Sequence, residues 1–160
     1  MMTAKVNKEL ILIRGLPGSG KTFLSNQIQC DMVLHVDDLE EDSIKSIAIK
    51  IIYLLKSNQI IAIDGIFPSF RDIVYMFTYV VEAYPEDMLS LRILNTNNKW
   101  SNSTYECWTK TIERCIDSQG TFISPLALKK LRDMWEDTDV KILRYSPDSR
   151  KIEGSNSVSS

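Results

Sequence analysis

Residues 9–22 read Glu9-Leu10-Ile11-Leu12-Ile13-Arg14-Gly15-Leu16-Pro17-Gly18-Ser19-Gly20-Lys21-Thr22. The first six make a short apolar run of the kind a buried parallel strand needs. Gly15 to Thr22 then fill the pattern G-x-x-x-x-G-K-[ST] completely, in the strand–turn–helix context it requires. The glycines let backbone N–H groups curl inward around phosphate oxygens that side chains would otherwise obstruct. The helix beyond adds the partial positive charge of its N-terminus. On this reading Gly15, Pro17, Gly18, Ser19, Gly20, Lys21 and Thr22 hold the phosphates of a nucleoside triphosphate. Lys21 reaches the β- and γ-phosphates, and the Thr22 hydroxyl ligates magnesium. A Gly/Pro turn before an ordinary helix is the competing account. Average residue frequencies give such a match by chance in roughly one chain of this length in two hundred. The expected cofactors are therefore ATP and Mg²⁺.

Outward from this stretch, strands and helices alternate. Lys21 to about Cys30 reads as a helix with Leu24 and Ile28 on one face, and Met32–Val36 as a second strand ending at Asp37-Asp38. Apolar residues from Ile44 to Leu55 recur at helical spacing, as do those from Ile73 to Tyr84, where Pro85 closes the helix. Between them Gln59–Ile63 is a third strand, and Met88–Leu94 a fourth. Residues 95–103 are polar and read as a loop. Helices are expected at 104–117 and 125–136, the second opened by Ser124 and Pro125. Val140–Tyr145 makes a fifth strand, and the Ser-rich tail 146–160 reads as disordered. The alternation predicts one α/β domain over residues 1–145: a P-loop NTPase fold, with a five-stranded parallel sheet, helices on both faces and a helical lid. Ligands in such sheets bind beyond the carboxyl ends of the strands. Gly15, Asp37, Asp64 and Asn95 all fall at such ends.

The whole chain narrows the function further. Its 160 residues suit one domain, and its apolar fraction of 44% is ordinary for a globular protein. No apolar run approaches the roughly 20 residues that cross a bilayer, and no signal-peptide pattern opens the sequence. Cys30, Cys107 and Cys115 are an odd number at unrelated spacings, so reduced thiols in a cytoplasmic protein are the expectation. With 19 basic against 21 acidic residues, the chain lacks the surplus of a protein that coats nucleic acid. A small substrate, or a nucleic-acid end held by a few local cations, fits better.

Three carboxylates and one arginine complete the expected site. Asp37 and Asp38 follow the second strand, where an acceptor would face the γ-phosphate. An attacking alcohol needs a base there, and Asp37 is preferred because it leaves the strand first. Helix capping is the alternative for this pair. Asp64 ends the run Ile60-Ile61-Ala62-Ile63 and is the candidate for holding magnesium through water. Phosphoryl transfer spreads negative charge over the moving group, so a lid cation is expected. Arg114, beside Lys110 on helix 104–117, is the candidate. Trp108 is assigned to core packing, His35 to a structural role, and Arg71 and Lys99 to solvated surface.

The run Ile13–Thr22 followed by Val36-Asp37-Asp38 resembles the polynucleotide 5′-hydroxyl kinase family of P-loop enzymes. Ile61-Ala62-Ile63-Asp64, Thr111-Ile112-Glu113-Arg114 and the segment from Ile123 to Glu136 resemble later parts of the same family. The resemblance implies ATP-dependent phosphorylation of a 5′-hydroxyl on RNA or DNA, with Asp37 as base and Arg114 over the phosphates. Three positions depart from the family. Glu40 stands where an arginine commonly grips the acceptor, Gly65-Ile66 replace a Thr-Asn pair, and Ser118-Gln119 lack a second lid cation. A kinase for a nucleotide, nucleoside or other small molecule is the alternative, which the acidic balance and Glu40 favour. A third is an ATP-binding interaction module with no acceptor. No Asn-Lys-x-Asp segment for reading guanine is present.

Overall fold

The computed structural model describes residues 7–17, 19–41, 43–96, 106–110 and 124–156, and the side chains of Thr22 and Phe23 fall outside that description. Strand β1 (Asn7–Arg14) lies at the middle of a six-stranded sheet. Leu10 to Ile13 are all buried, as a strand covered on both faces demands. Helix α1 is Lys21–Ser25, and β2 (Met32–His35) runs into a 3₁₀ turn at Val36–Asp38. Then come α2 (Ile44–Leu54), β3 (Ile60–Gly65), α3 (Phe70–Ala83), β4 (Met88–Asn95), α4 (Pro125–Met134), β5 (Ile142–Ser146) and β6 (Lys151–Ser155). Residues 106–110 are also helical.

The sheet order is β2-β3-β1-β4-β5-β6. The first four strands are parallel, but β5 runs antiparallel to β4 and β6 antiparallel to β5, so the expected five-stranded parallel sheet is corrected to a mixed one. Among its described residues, the connection from β4 to β5 carries helical turns at 106–110 and the helix α4. Its last residue, Lys141, accepts a hydrogen bond from Ile93 N at 2.8 Å. The chain thus re-enters the sheet at the edge it left, which reverses the strand. The tail expected to be disordered instead forms β6 over residues 151–155, joined to β5 by a tight turn in which Arg150 takes φ 55°. Such a left-handed residue is a common way to close a hairpin loop.

Helices cover both faces, as the alternation predicts. Leu10 and Leu12 of β1 pack with Ile47 and Ile51 of α2 and with Met76, Phe77 and Val80 of α3. Ile11 and Ile13 point the other way, toward Leu24 and Ile28. This opposite facing of neighbours is the period of two along a strand. Fully burying a side chain such as Phe77 contributes about 1.5–3 kcal/mol. Caps fix the helix starts: Ser43 accepts from Ser46 N at 3.2 Å, and Ser124 from Ala127 N at 3.1 Å.

Helix α1 stops earlier than its sequence predicts. Beyond Ser25 the chain tightens into turns, with Gln27 N bonded to Leu24 O and Ile28 N to Ser25 O. The Asp31 carboxylate then accepts from Gln59 N and Ile60 N, both at 2.9 Å, which pulls the chain back to the amino end of β3. These two donors lower the Asp31 pKa. No helix among the described residues is long and apolar enough to cross a membrane.

Candidate functional site

Strand register sets the site. Ile13 pairs with Asp64, Arg14 with Gly65 on one side, and Arg14 with Asn95 on the other. The turn after β1, the carboxylate ending β3 and the residues ending β4 therefore lie level at one edge of the sheet. Thr96 N donates to Arg14 O at 3.1 Å and holds that edge together.

The glycine loop doubles back on itself. Ser19 N donates to Leu16 O at 3.0 Å, and Lys21 Nζ donates to the same carbonyl at 3.0 Å from a position only 8% exposed. Ser19 is fully buried, and Pro17 is half-buried. Gly20 adopts φ 98°, which an L side chain resists, and Leu24 N takes up its carbonyl to start α1. Leu16, buried in a cluster with Cys107 and Leu128, fastens the loop to α4 and to residues 106–110. Trp108 packs against that cluster, as its assignment to the core implies. Since α1 has only five residues, the charge of Lys21 rather than a helix dipole is the main positive potential here. Gly18 lies outside the described residues.

At Gly15 an added Cβ would collide with Ser19 Oγ and come within 2.7 Å of Thr96 Oγ1. Gly15→Ala is accordingly expected to cost about 1–3 kcal/mol through overpacking. It should lower the melting temperature and weaken any ligand held by the loop, which thermal denaturation and a nucleotide titration would measure.

Asp64 is 6% exposed, and His35 Nδ1 lies 3.1 Å from its Oδ2. The two residues are direct neighbours across β2 and β3. His35, assigned to structure, thus orients the carboxylate that reads as a metal ligand. No group of three or more His, Cys, Asp or Glu residues placed to hold a metal occurs among the described residues. A hard cation drawing on one carboxylate, a hydroxyl and ligand phosphates needs no such group.

Asp37 and Asp38 are both exposed in the turn after β2, anchored by buried Val36. Asp37 faces a cleft of about 210 Å³ that also touches Phe67 and Leu131. Arg71 is exposed on α3, Lys110 is exposed on its helical segment, and Glu40 is exposed after the turn. Arg114 and Lys99 lie outside the described residues, as does most of the expected lid.

Arg14 is the residue that sequence reading missed. Its side chain is wholly buried. Nε and Nη2 donate to Phe67 O at 3.0 and 2.7 Å, and Nη2 also reaches Pro68 O at 3.2 Å. The guanidinium lies 4.1 Å from the Trp135 ring centroid, in cation–π contact. Burial pushes its pKa down, opposed by Asp137 and Glu136. Its Nη1 is buried with no hydrogen-bond partner among the described residues. Phe67, whose carbonyl Arg14 grips, has φ 49°, an unusual angle for an aromatic residue. A Cβ on Gly65 would strike the Phe67 ring, so these two positions interlock. A second cleft, of about 430 Å³, opens on the β4 side of the loop between Gly15, Asn95, Thr96, Arg132, Trp135 and Lys141.

Compared with known proteins, the chain matches no family model and no curated protein.

Proposed function

We propose that the chain is an ATP- and magnesium-dependent phosphotransferase of the P-loop type, acting on a hydroxyl. One observation carries this reading: the complete glycine–lysine pattern sits where the central parallel strand leaves the sheet, folded around a nearly buried ammonium. The residues suit the ligand. Gly15 leaves no room for a side chain in the turn, and Gly20 takes a backbone angle that glycine permits. Lys21 supplies a positive charge shielded from water, where it acts more strongly than at the surface. Thr22 and Asp64 would hold magnesium, which supplies charge neutralisation on the phosphate oxygens. The β4-side cleft, with Arg132 and Lys141 on its rim, offers space for the nucleoside part of the donor.

Asp37 takes the proton of the acceptor hydroxyl as its oxygen bonds to the γ-phosphorus. The bond from that phosphorus to the bridging oxygen then breaks, leaving a nucleoside diphosphate. The family resemblance points to the 5′-hydroxyl of RNA or DNA as acceptor, with Arg114 over the phosphates. A small-molecule acceptor is the second reading, because among the described residues no basic side chain lines the cleft beside Asp37.

Titration with Mg–ATP should show saturable binding. Labelled γ-phosphate should then move to a hydroxyl in a panel of oligonucleotides, nucleotides, nucleosides and sugars. Folded protein that takes up no nucleotide would remove the proposal.

A further inference from the structure

The two clefts differ in the charge of their described lining residues. Among the described residues, the β4-side cleft is lined by Arg14, Arg132 and Lys141 against one carboxylate, Asp137. The cleft beyond β2 and β3 has apolar walls from Ile44, Ile47, Ile66, Phe67 and Leu131, and among the described residues its only charged lining residues are Asp37 and Asp72. Neither carboxylate has an ion-pair partner among the described residues. Asp72 lies in the first turn of the 14-residue helix α3. Asp38 and Glu40 add exposed negative charge in and just past the turn that holds Asp37.

Size and rigidity point the same way. At about 210 Å³ the cleft is smaller than sites for drug-sized ligands, which begin near about 300 Å³. The backbone of Phe67, which forms one wall, is anchored by the Arg14 hydrogen bonds to its carbonyl. A nucleic-acid strand entering here would bring phosphodiesters up to Asp37, Asp72 and Glu40, and like charges brought together in a partly desolvated cleft repel strongly.

Resting on the phosphotransferase reading and taking its second acceptor class, we infer that the acceptor is a nucleoside-sized or smaller alcohol with an apolar body and no negative charge, bound between Asp72 and the Phe67 wall. A protonated amine on that alcohol strengthens binding, and a phosphate on it opposes binding. Asp72 is a specificity residue that selects by charge, while Asp37 handles the hydroxyl proton.

The test is a charge series that shares one reacting 5′-hydroxyl: 3′-amino-3′-deoxythymidine, thymidine, thymidine 3′-monophosphate and a 5′-hydroxyl oligothymidylate. Each is offered with labelled ATP and magnesium, and kcat/KM is measured for each. The amino compound should be used at least as well as thymidine. Both should exceed the 3′-phosphate and the oligonucleotide by roughly tenfold or more, the size expected of a like-charge penalty in a cleft. Asp72→Asn should narrow that gap at least threefold without changing ATP affinity. Preference for the oligonucleotide or the 3′-phosphate would overturn the inference. So would an unchanged ranking in Asp72→Asn, or no transfer to any of the four by protein that binds ATP. Absence of ATP binding would instead strike at the phosphotransferase reading.

Discussion

Lys21→Ala is expected to abolish phosphoryl transfer and weaken ATP binding at least tenfold. The Lys21 ammonium is nearly buried and is held to the Leu16 carbonyl inside the loop. A charge kept out of water there acts on a triphosphate through a low effective dielectric. Losing one preorganised electrostatic contact costs a factor of roughly 10²–10³ in rate, and here the same contact also serves binding. Lys21→Arg should not restore function, because a planar fork cannot occupy the space of a compact ammonium. Nucleotide titration and single-turnover transfer would measure both effects, with thermal melting to show that the variant is folded. Unchanged ATP affinity in Lys21→Ala would remove the lysine from the donor site.

Asp37→Asn should reduce transfer by roughly 10²–10⁴, the range of general-base catalysis, while leaving ATP affinity within twofold of the parent. The substitution preserves shape. Asp37 is exposed and in no ion pair among the described residues, so stability should hardly move. The separation of binding from transfer is what matters here. A module that only binds ATP would be indifferent to this change, whereas a kinase that uses Asp37 as base would bind and stall. Normal transfer by the variant would assign the proton to another group.

The parts of the molecule that were legible in the sequence are those in which local pattern and burial coincide. Strands β1 and β3 are covered on both faces, so they appear as unbroken apolar runs. The helices α2 and α3 bury one stripe each, and that stripe recurs at three and four residues. The glycine loop was legible because its backbone constraints are written as residue types. What escaped depends on partners distant along the chain. Arg14 looks like the solvated end of a strand until Phe67 and Pro68, 53 and 54 residues on, place their carbonyls around it. The pairing of His35 with Asp64 follows from strand register, which composition does not carry. The reversal of β5 follows from its pairing with β4, which composition does not carry either.

The last strand was missed for a different reason: β6 is a polar edge, with Ile152 the one large apolar residue in Lys151–Ser155. That polarity has a practical side. If the chain were cut after Ser146, β5 would become the rim of the sheet, with the backbone donors and acceptors that now bond β6 left open beside Ile142, Leu143 and Tyr145. Exposed rims of this kind recruit strands from neighbouring molecules. Trimming what resembles a dispensable serine-rich terminus should therefore raise the protein's tendency to self-associate.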